Sequence, residues 1–239
     1  MPPAEGGGME ISMGTSKGYI PPTTVHWTQA KRAVSGYIKN GDAGARANAA
    51  SKFAGAMRHD MTASNSFPSA AGNVLSFARA VSQGGINNAL RDFNRSDLIG
   101  KSSEEIFNEL INEFTHNGNT TEDYLSAEAI SSALKELNIV EMEQLKEFTP
   151  DVLLKEMLIE YIKFSFAFRY EEKILMKKAP AETKELIQKM NKYISDELHN
   201  KLCLDDLKNI DFNHMYSSDI VAKALEDAYQ VFEMFYGED

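Results

Sequence analysis

The stretch from Thr149 to Pro180 constrains the fold more than any other part of this sequence. Thr149-Pro150-Asp151 is a typical helix start, with a capping residue, a proline at the first helical position and an acidic residue behind it. Apolar side chains occupy nearly every side of the helix predicted from Val152 to Phe168, which ends at Lys177-Lys178-Ala179-Pro180. Because such a helix is buried on all sides, other helices must surround it.

Apolar residues recur at helical spacing along most of the chain, and no segment shows the sustained alternation of a strand. Besides the helix at 149–178, the pattern predicts helices capped by Thr28, Ser102 or Ser103, Ser126, and Ser217 or Ser218. Further helical segments are predicted over 43–57, 69–81 and 186–202. We therefore expect an all-α protein, with a C-terminal helical bundle of about five helices, a Gly/Ala-rich helical segment before it and a flexible N-terminal arm.

Charge and glycine divide the chain near residue 95. Residues 1–95 hold ten Lys and Arg against five Asp and Glu and 12 of the 15 glycines, whereas the remainder holds 15 basic and 30 acidic residues. The net charges are thus +5 and −15, within a total of −10. This predicts an arm over 1–27, a basic docking segment over 28–95 and an acidic bundle over 96–239.

The single cysteine and the apolar runs bear on the cellular compartment. Cys203 cannot form an internal disulfide, which indicates a reducing environment. The most apolar run, 152–168, contains four charged residues and is shorter than the ~18 residues that a membrane helix needs. The first residues lack the basic start and apolar core of a signal peptide. We expect a cytoplasmic protein with no membrane contact.

Catalytic patterns are scarce. His199 and Cys203 lie four residues apart, with His214 close in sequence, so they could bind a metal or form a nucleophile with its base. The simpler interpretation makes Cys203 a small core residue between Leu202 and Leu204 and places the histidines on the surface. We predict no enzyme activity, no metal and no cofactor, with an enzyme that uses Cys203 and His199 as an alternative.

Six basic residues recur in the Gly/Ala-rich segment: Lys31, Arg32, Lys39, Arg46, Lys52 and Arg58. They could follow a phosphate backbone, which makes a nucleic-acid-sensing protein an alternative function. Only three aromatic residues (Trp27, Tyr37 and Phe53) are interleaved to stack on bases, and an acidic segment lies directly behind. Docking of this basic segment on acidic protein surface is therefore favoured, and nucleic-acid binding is not expected.

Short segments that occur in a characteristic order begin with Met13-Gly14-Thr15-Ser16 and continue with 21–22, 43–46, 51–55, 90–106, 168–171, 178–181 and 231–233. This ordered set resembles the QatB family of the bacterial Qat anti-phage defence system. Together these segments span about 13–236, nearly the whole chain. The proline-containing arm is shorter than in the family, and residues 1–12 precede the usual start.

The resemblance implies a non-catalytic subunit and specific partners. These are a QueC-like enzyme, QatC, and, as further candidates, the system's ATPase and TatD-like nuclease. QueC-like enzymes use ATP to join a deazapurine carboxylate to an amine, and a flexible arm with an exposed glycine would be a suitable amine donor. We therefore hypothesise that Gly14, flanked by Thr15 and Ser16, is recognised or modified, although Gly14 could equally be an ordinary tail residue. Weaker candidates for partner docking are Arg46, Arg58, Arg79 and Arg91.

Overall fold

The structure is a computed structural model that describes residues 23–61, 65–208, 210, 212 and 217–233. Within these ranges the chain forms nine α-helices and no strand, which confirms the predicted all-α class. The helices are α1 (Val25–Asn40), α2 (Ala43–Asp60), α3 (Ser66–Gly84), α4 (Ile86–Asp92), α5 (Ser103–Phe114), α6 (Thr121–Glu136), α7 (Pro150–Leu175), α8 (Pro180–Lys201) and α9 (Ser217–Glu233).

Several helix boundaries follow the predicted capping signals. Ser102 caps α5 in a capping box, in which its hydroxyl accepts from the Glu105 backbone N–H and the Glu105 carboxylate accepts from the Ser102 N–H. Prolines 150 and 180 stand at the first positions of α7 and α8. Gly85 ends α3, as the Gly84-Gly85 pair predicts.

Two predicted helix starts are wrong, each because an earlier threonine provides the cap. Thr24, rather than Thr28, caps α1 and accepts a hydrogen bond from the Trp27 backbone N–H at 3.4 Å. Thr120 caps α6 in a capping box with Asp123, so that Ser126 lies inside the helix, where its hydroxyl donates to the Glu122 carbonyl at 2.6 Å.

Helix α7 occupies the centre of the fold, as its apolar run predicts. Thirteen of its residues are buried, and it packs against α6 and α8. Its Phe166 contacts Phe53 of α2 edge-on, with ring centroids 5.4 Å apart. Burial of both rings anchors the Gly/Ala-rich segment to the C-terminal helices in one hydrophobic core.

Small residues let α2 and α3 approach α9 closely. A Cβ at Gly72 of α3 would lie 2.8 Å from the Ser217 Oγ and 3.0 Å from backbone atoms of Ser217 and Ser218. A Cβ at Gly55 of α2 would lie 2.7 Å from the Glu233 carboxylate. Glycine at position 72 is therefore a packing requirement where α3 meets α9, whereas the close neighbour of Gly55 is the end of a flexible side chain.

Candidate functional site

Two of the four candidate docking arginines contact the C-terminal helices of their own chain. The guanidinium of Arg46 on α2 lies over the Tyr193 ring of α8, 5.1 Å from its centroid. Arg58, also on α2, forms a 2.9 Å ion pair with Glu233 of α9. Both arginines therefore connect the basic segment to the acidic one within the molecule.

The other two arginines have different surroundings, since Arg79 is half-buried and Arg91 is exposed. Arg79 of α3 lines a pocket of about 190 Å³ beside Phe148, Pro150 and Phe212. Arg91 of α4 is exposed and donates to the Asn88 side chain at 2.8 Å. The four arginines, on α2, α3 and α4, thus contact different groups, and Gly14, Thr15 and Ser16 lie outside the described residues.

An open groove of about 630 Å³ runs between α1 and α2. Its lining includes small residues, among them Ala33 and Gly36, and the basic side chains of Arg32 and Lys52. Neither Arg32 nor Lys52 forms an ion pair with another described residue. Asp42 is the acidic residue of the lining, and its carboxylate caps α2 through the Ala45 N–H at 2.7 Å. The groove is therefore lined mainly by small and neutral residues, and its two basic side chains outnumber its one acidic side chain.

The structure does not join His199 to Cys203 by a hydrogen bond. The His199 Nδ1 lies 2.9 Å from the Ser195 carbonyl and its Nε2 lies 3.2 Å from the Glu156 carboxylate. Burial raises the pKa of Glu156, against the influence of the nearby imidazole. The Cys203 Sγ is 3.5 Å from the Asp205 carboxylate. Both ring nitrogens of His199 therefore contact polar groups other than the Cys203 thiol.

The burial expected for Cys203 is wrong. Leu202 and Leu204 are buried, whereas Cys203 between them is exposed. In the part of the chain that the structure describes, no three His, Cys, Asp or Glu side chains are grouped closely enough to hold a metal ion.

A partly buried polar cluster, unforeseen from the sequence, connects α1, α6 and α7. The Glu122 carboxylate accepts from Arg169 at 2.7 Å and from the Tyr161 hydroxyl at 2.8 Å. Arg169 also lies over the Trp27 ring, 5.7 Å from its centroid. Burial raises the pKa of Tyr161, so this phenol remains a hydrogen-bond donor. These contacts fix how the helices pack on one another. Their residues lie far apart in the sequence, so no local sequence pattern predicts the cluster.

None of the described helices is both long and apolar enough to span a membrane.

Comparison with known proteins assigns a family. A family model described as QatB, Qat anti-phage system associated protein, matches residues 55–232. No curated protein matches the chain, and no solved structure does. The match starts inside α2, includes Arg58, Arg79 and Arg91, and ends one residue before the end of α9. It covers about three quarters of the sequence, and the chain therefore belongs to the QatB family of the Qat anti-phage defence system.

Proposed function

We propose that this chain is a non-catalytic, cytoplasmic subunit of the Qat system that binds the QueC-like enzyme QatC and is its protein substrate. The family match over residues 55–232 is the observation that carries the proposal. The lone, exposed Cys203 is compatible with a reducing cytoplasm. The system's ATPase and TatD-like nuclease are further candidate partners.

The number of residues between Gly14 and α1 supports a substrate role for the arm. Eleven residue steps separate Gly14 from Val25, where α1 begins. A fully extended chain of that length spans at most about 40 Å. An enzyme could therefore receive the arm in its active site while the helical core stays outside.

The proposed modification forms an amide at Gly14. Hydrolysis of the Met13–Gly14 peptide bond would first expose the Gly14 amine. QatC would convert the carboxylate of a deazapurine to its adenylate, with release of pyrophosphate from ATP. The Gly14 nitrogen would then attack the activated carbonyl carbon, so that an amide bond forms, the acyl–phosphate bond breaks, AMP leaves and the amine loses a proton. Thr15 and Ser16 would be recognised beside it.

Co-purification with QatC followed by intact-mass measurement tests the proposal. We expect a stable complex in which this chain begins at Gly14 and carries an added mass. A chain that lacks residues 1–16 is the matched control and should bind without gaining mass. A complex in which the full chain keeps its mass would refute the substrate role and leave an adaptor, whereas the absence of any complex would refute the QatC partnership.

A nucleic-acid sensor is the second candidate function, and Arg32 and Lys52 at the α1–α2 groove favour it. Phosphate contacts by these two cations would make binding to duplex DNA fall steeply with salt. Arg46 and Arg58 count against an extended interface of this kind, because each already contacts a helix of its own chain. Fluorescence anisotropy with a labelled duplex at low salt decides the matter, since no binding there excludes a sensor.

A further inference from the structure

Three lysines meet where the end of α7 lies beside α1. The Lys173 ammonium donates to the Lys31 carbonyl oxygen at 3.0 Å, and the Ser35 hydroxyl donates to the same oxygen at 2.8 Å. Lys177 lies two residues past the end of α7 and is close enough for its charge to lower the pKa of Lys173. The fold thus gathers positive charge from two segments 142 residues apart in sequence.

This arrangement is unfavourable by itself. Partial burial lowers the pKa of Lys173, and repulsion from Lys177 and Lys31 lowers it further. None of the three lysines forms an ion pair with another residue in the described ranges. In a chain with 35 acidic residues, carboxylates are abundant, so a cluster of unpaired lysines is a specific feature of this surface.

Lysines of the neighbouring helix α8 instead pair with carboxylates of their own helix. Along α8, Lys189 pairs with Glu185 and Lys192 pairs with Asp196 at four-residue spacing. At the end of α7, by contrast, Lys173 faces the repulsion of Lys177 in the turn that follows the helix. A carboxylate from outside the chain would relieve this repulsion.

An exposed methionine lies within the lysine cluster. Met176 is 75% exposed and follows Lys173 by three residues, so the two share a side of the chain at the end of α7. Leu175 next to it is 45% exposed. Methionine is flexible and polarizable, and it is common at protein-binding surfaces. An exposed apolar side chain among cations fits a protein surface better than a phosphate backbone, which would leave the apolar contact unused.

We propose that Lys31, Lys173, Met176 and Lys177, which we name the lysine–methionine patch, bind a partner protein that presents carboxylates around an apolar pocket. Met176 would enter the pocket, and the lysines would pair with the carboxylates at its rim. This inference rests on the proposed function, because it assigns the surface through which the chain holds its partner enzyme.

Binding of the full-length chain to purified QatC by isothermal titration calorimetry tests the patch. Met176→Ser and Lys177→Glu change exposed side chains and should leave the helix content and melting temperature unchanged. The double variant should weaken binding by at least about tenfold, as expected for the loss of a central contact. Val140→Ser with Lys135→Glu is the matched control and should bind like the wild type. It alters one exposed apolar residue and one exposed lysine near the end of another helix, which forms no ion pair with a described residue.

The remaining outcomes separate the patch from the proposed function. If the wild type and the double variant bind QatC equally, the patch proposal is wrong while the partnership stands. If the wild type does not bind QatC, both proposals fail. A labelled 20-base-pair duplex is the second probe. Suppose that the chain binds this duplex, and that Lys177→Glu weakens the binding while Met176→Ser alone does not. The patch would then bind nucleic acid, and the proposal of an acidic protein partner would be wrong.

Discussion

A single added methyl group should have opposite effects on stability at two glycines of the basic segment. Gly72 lies inside α3 at its contact with α9, and Gly36 lies inside α1. A Cβ at Gly72 would meet the Ser217 Oγ at 2.8 Å and two backbone atoms at 3.0 Å, whereas a Cβ at Gly36 would meet nothing within 4 Å. Gly72→Ala and Gly36→Ala therefore make the same chemical change in different surroundings.

The expected magnitude is the balance of two effects. Alanine in a helix interior is more favourable than glycine by roughly 0.5–1 kcal/mol, which is the whole effect expected at Gly36. At Gly72 the new carbon would lie well inside the ordinary contact distance of ~3.5–4.0 Å. Because backbone atoms are involved, α3 and α9 must move apart, at a cost of about 1–3 kcal/mol. The net loss at Gly72 is about 1 kcal/mol, so the two variants should differ by about 2 kcal/mol.

Thermal and urea denaturation followed by circular dichroism at 222 nm measures this difference. For a protein of this size, about 2 kcal/mol corresponds to about 4–8 °C in melting temperature. Adding Ser217→Gly to Gly72→Ala removes the Oγ contact but leaves the backbone contacts, so recovery should be partial. If Gly72→Ala were as stable as Gly36→Ala, the close approach of α3 and α9 would be wrong.

Three further predictions concern polar residues. Thr120→Ala removes the cap of α6 and should lower the free energy of unfolding, measured by urea denaturation, by about 1 kcal/mol. An unchanged free energy of unfolding would show that Thr120 does not provide the cap. Burial opposes ionisation of Asp123, but hydrogen bonds from Thr120 and Ser66 outweigh it and hold the pKa of this carboxyl below 3.8. The stability that Asp123 contributes is therefore present above pH 3.8 and lost as the pH falls through the lowered folded-state pKa, so Asp123→Asn should melt lower than the wild type at pH 7 and approach it in acid. A melting difference that does not change with pH would contradict this assignment. Lys163→Met leaves the buried Glu160 without its cation and should cost about 3 kcal/mol, which Glu160→Gln should partly restore in the double variant.

Helices with strong local signals could be predicted from the sequence. Helices α5 and α7 begin where a capping residue is followed by a second residue typical of a helix start. These pairs are Ser102 with Glu105, and Thr149 with Pro150. The start of α1 offers two threonines as local caps, and Thr24 is used because residue 27 must lie inside the helix: Trp27 is buried, with its indole N–H donating to Asp60 at the end of α2. Local sequence carries no information about that partner.

The arrangement of charges between helices could not be predicted for the same reason. Arg46 and Arg58 are equivalent to other basic residues in the sequence, yet the fold places them against Tyr193 and Glu233. Lys177 has the sequence context of a helix end, so the sequence alone gives no sign that the fold brings its charge near Lys173 and Lys31. Helical periodicity determines which side of a helix is buried, but it does not determine which helix lies there.

The first helix of the fold is an integral part of the molecule although the family match begins only at residue 55. That position lies inside α2, so it is not a structural boundary. Helix α1 buries Tyr37, whose hydroxyl donates to the Leu186 carbonyl of α8 at 2.9 Å, and burial raises the pKa of this phenol to about 12. Removing α1 would expose that carbonyl and the core beneath it. The arm is therefore attached to a fixed helix, whose Lys31 contributes to the lysine–methionine patch. A partner bound at that patch would hold the start of the arm at a constant distance from its own active site.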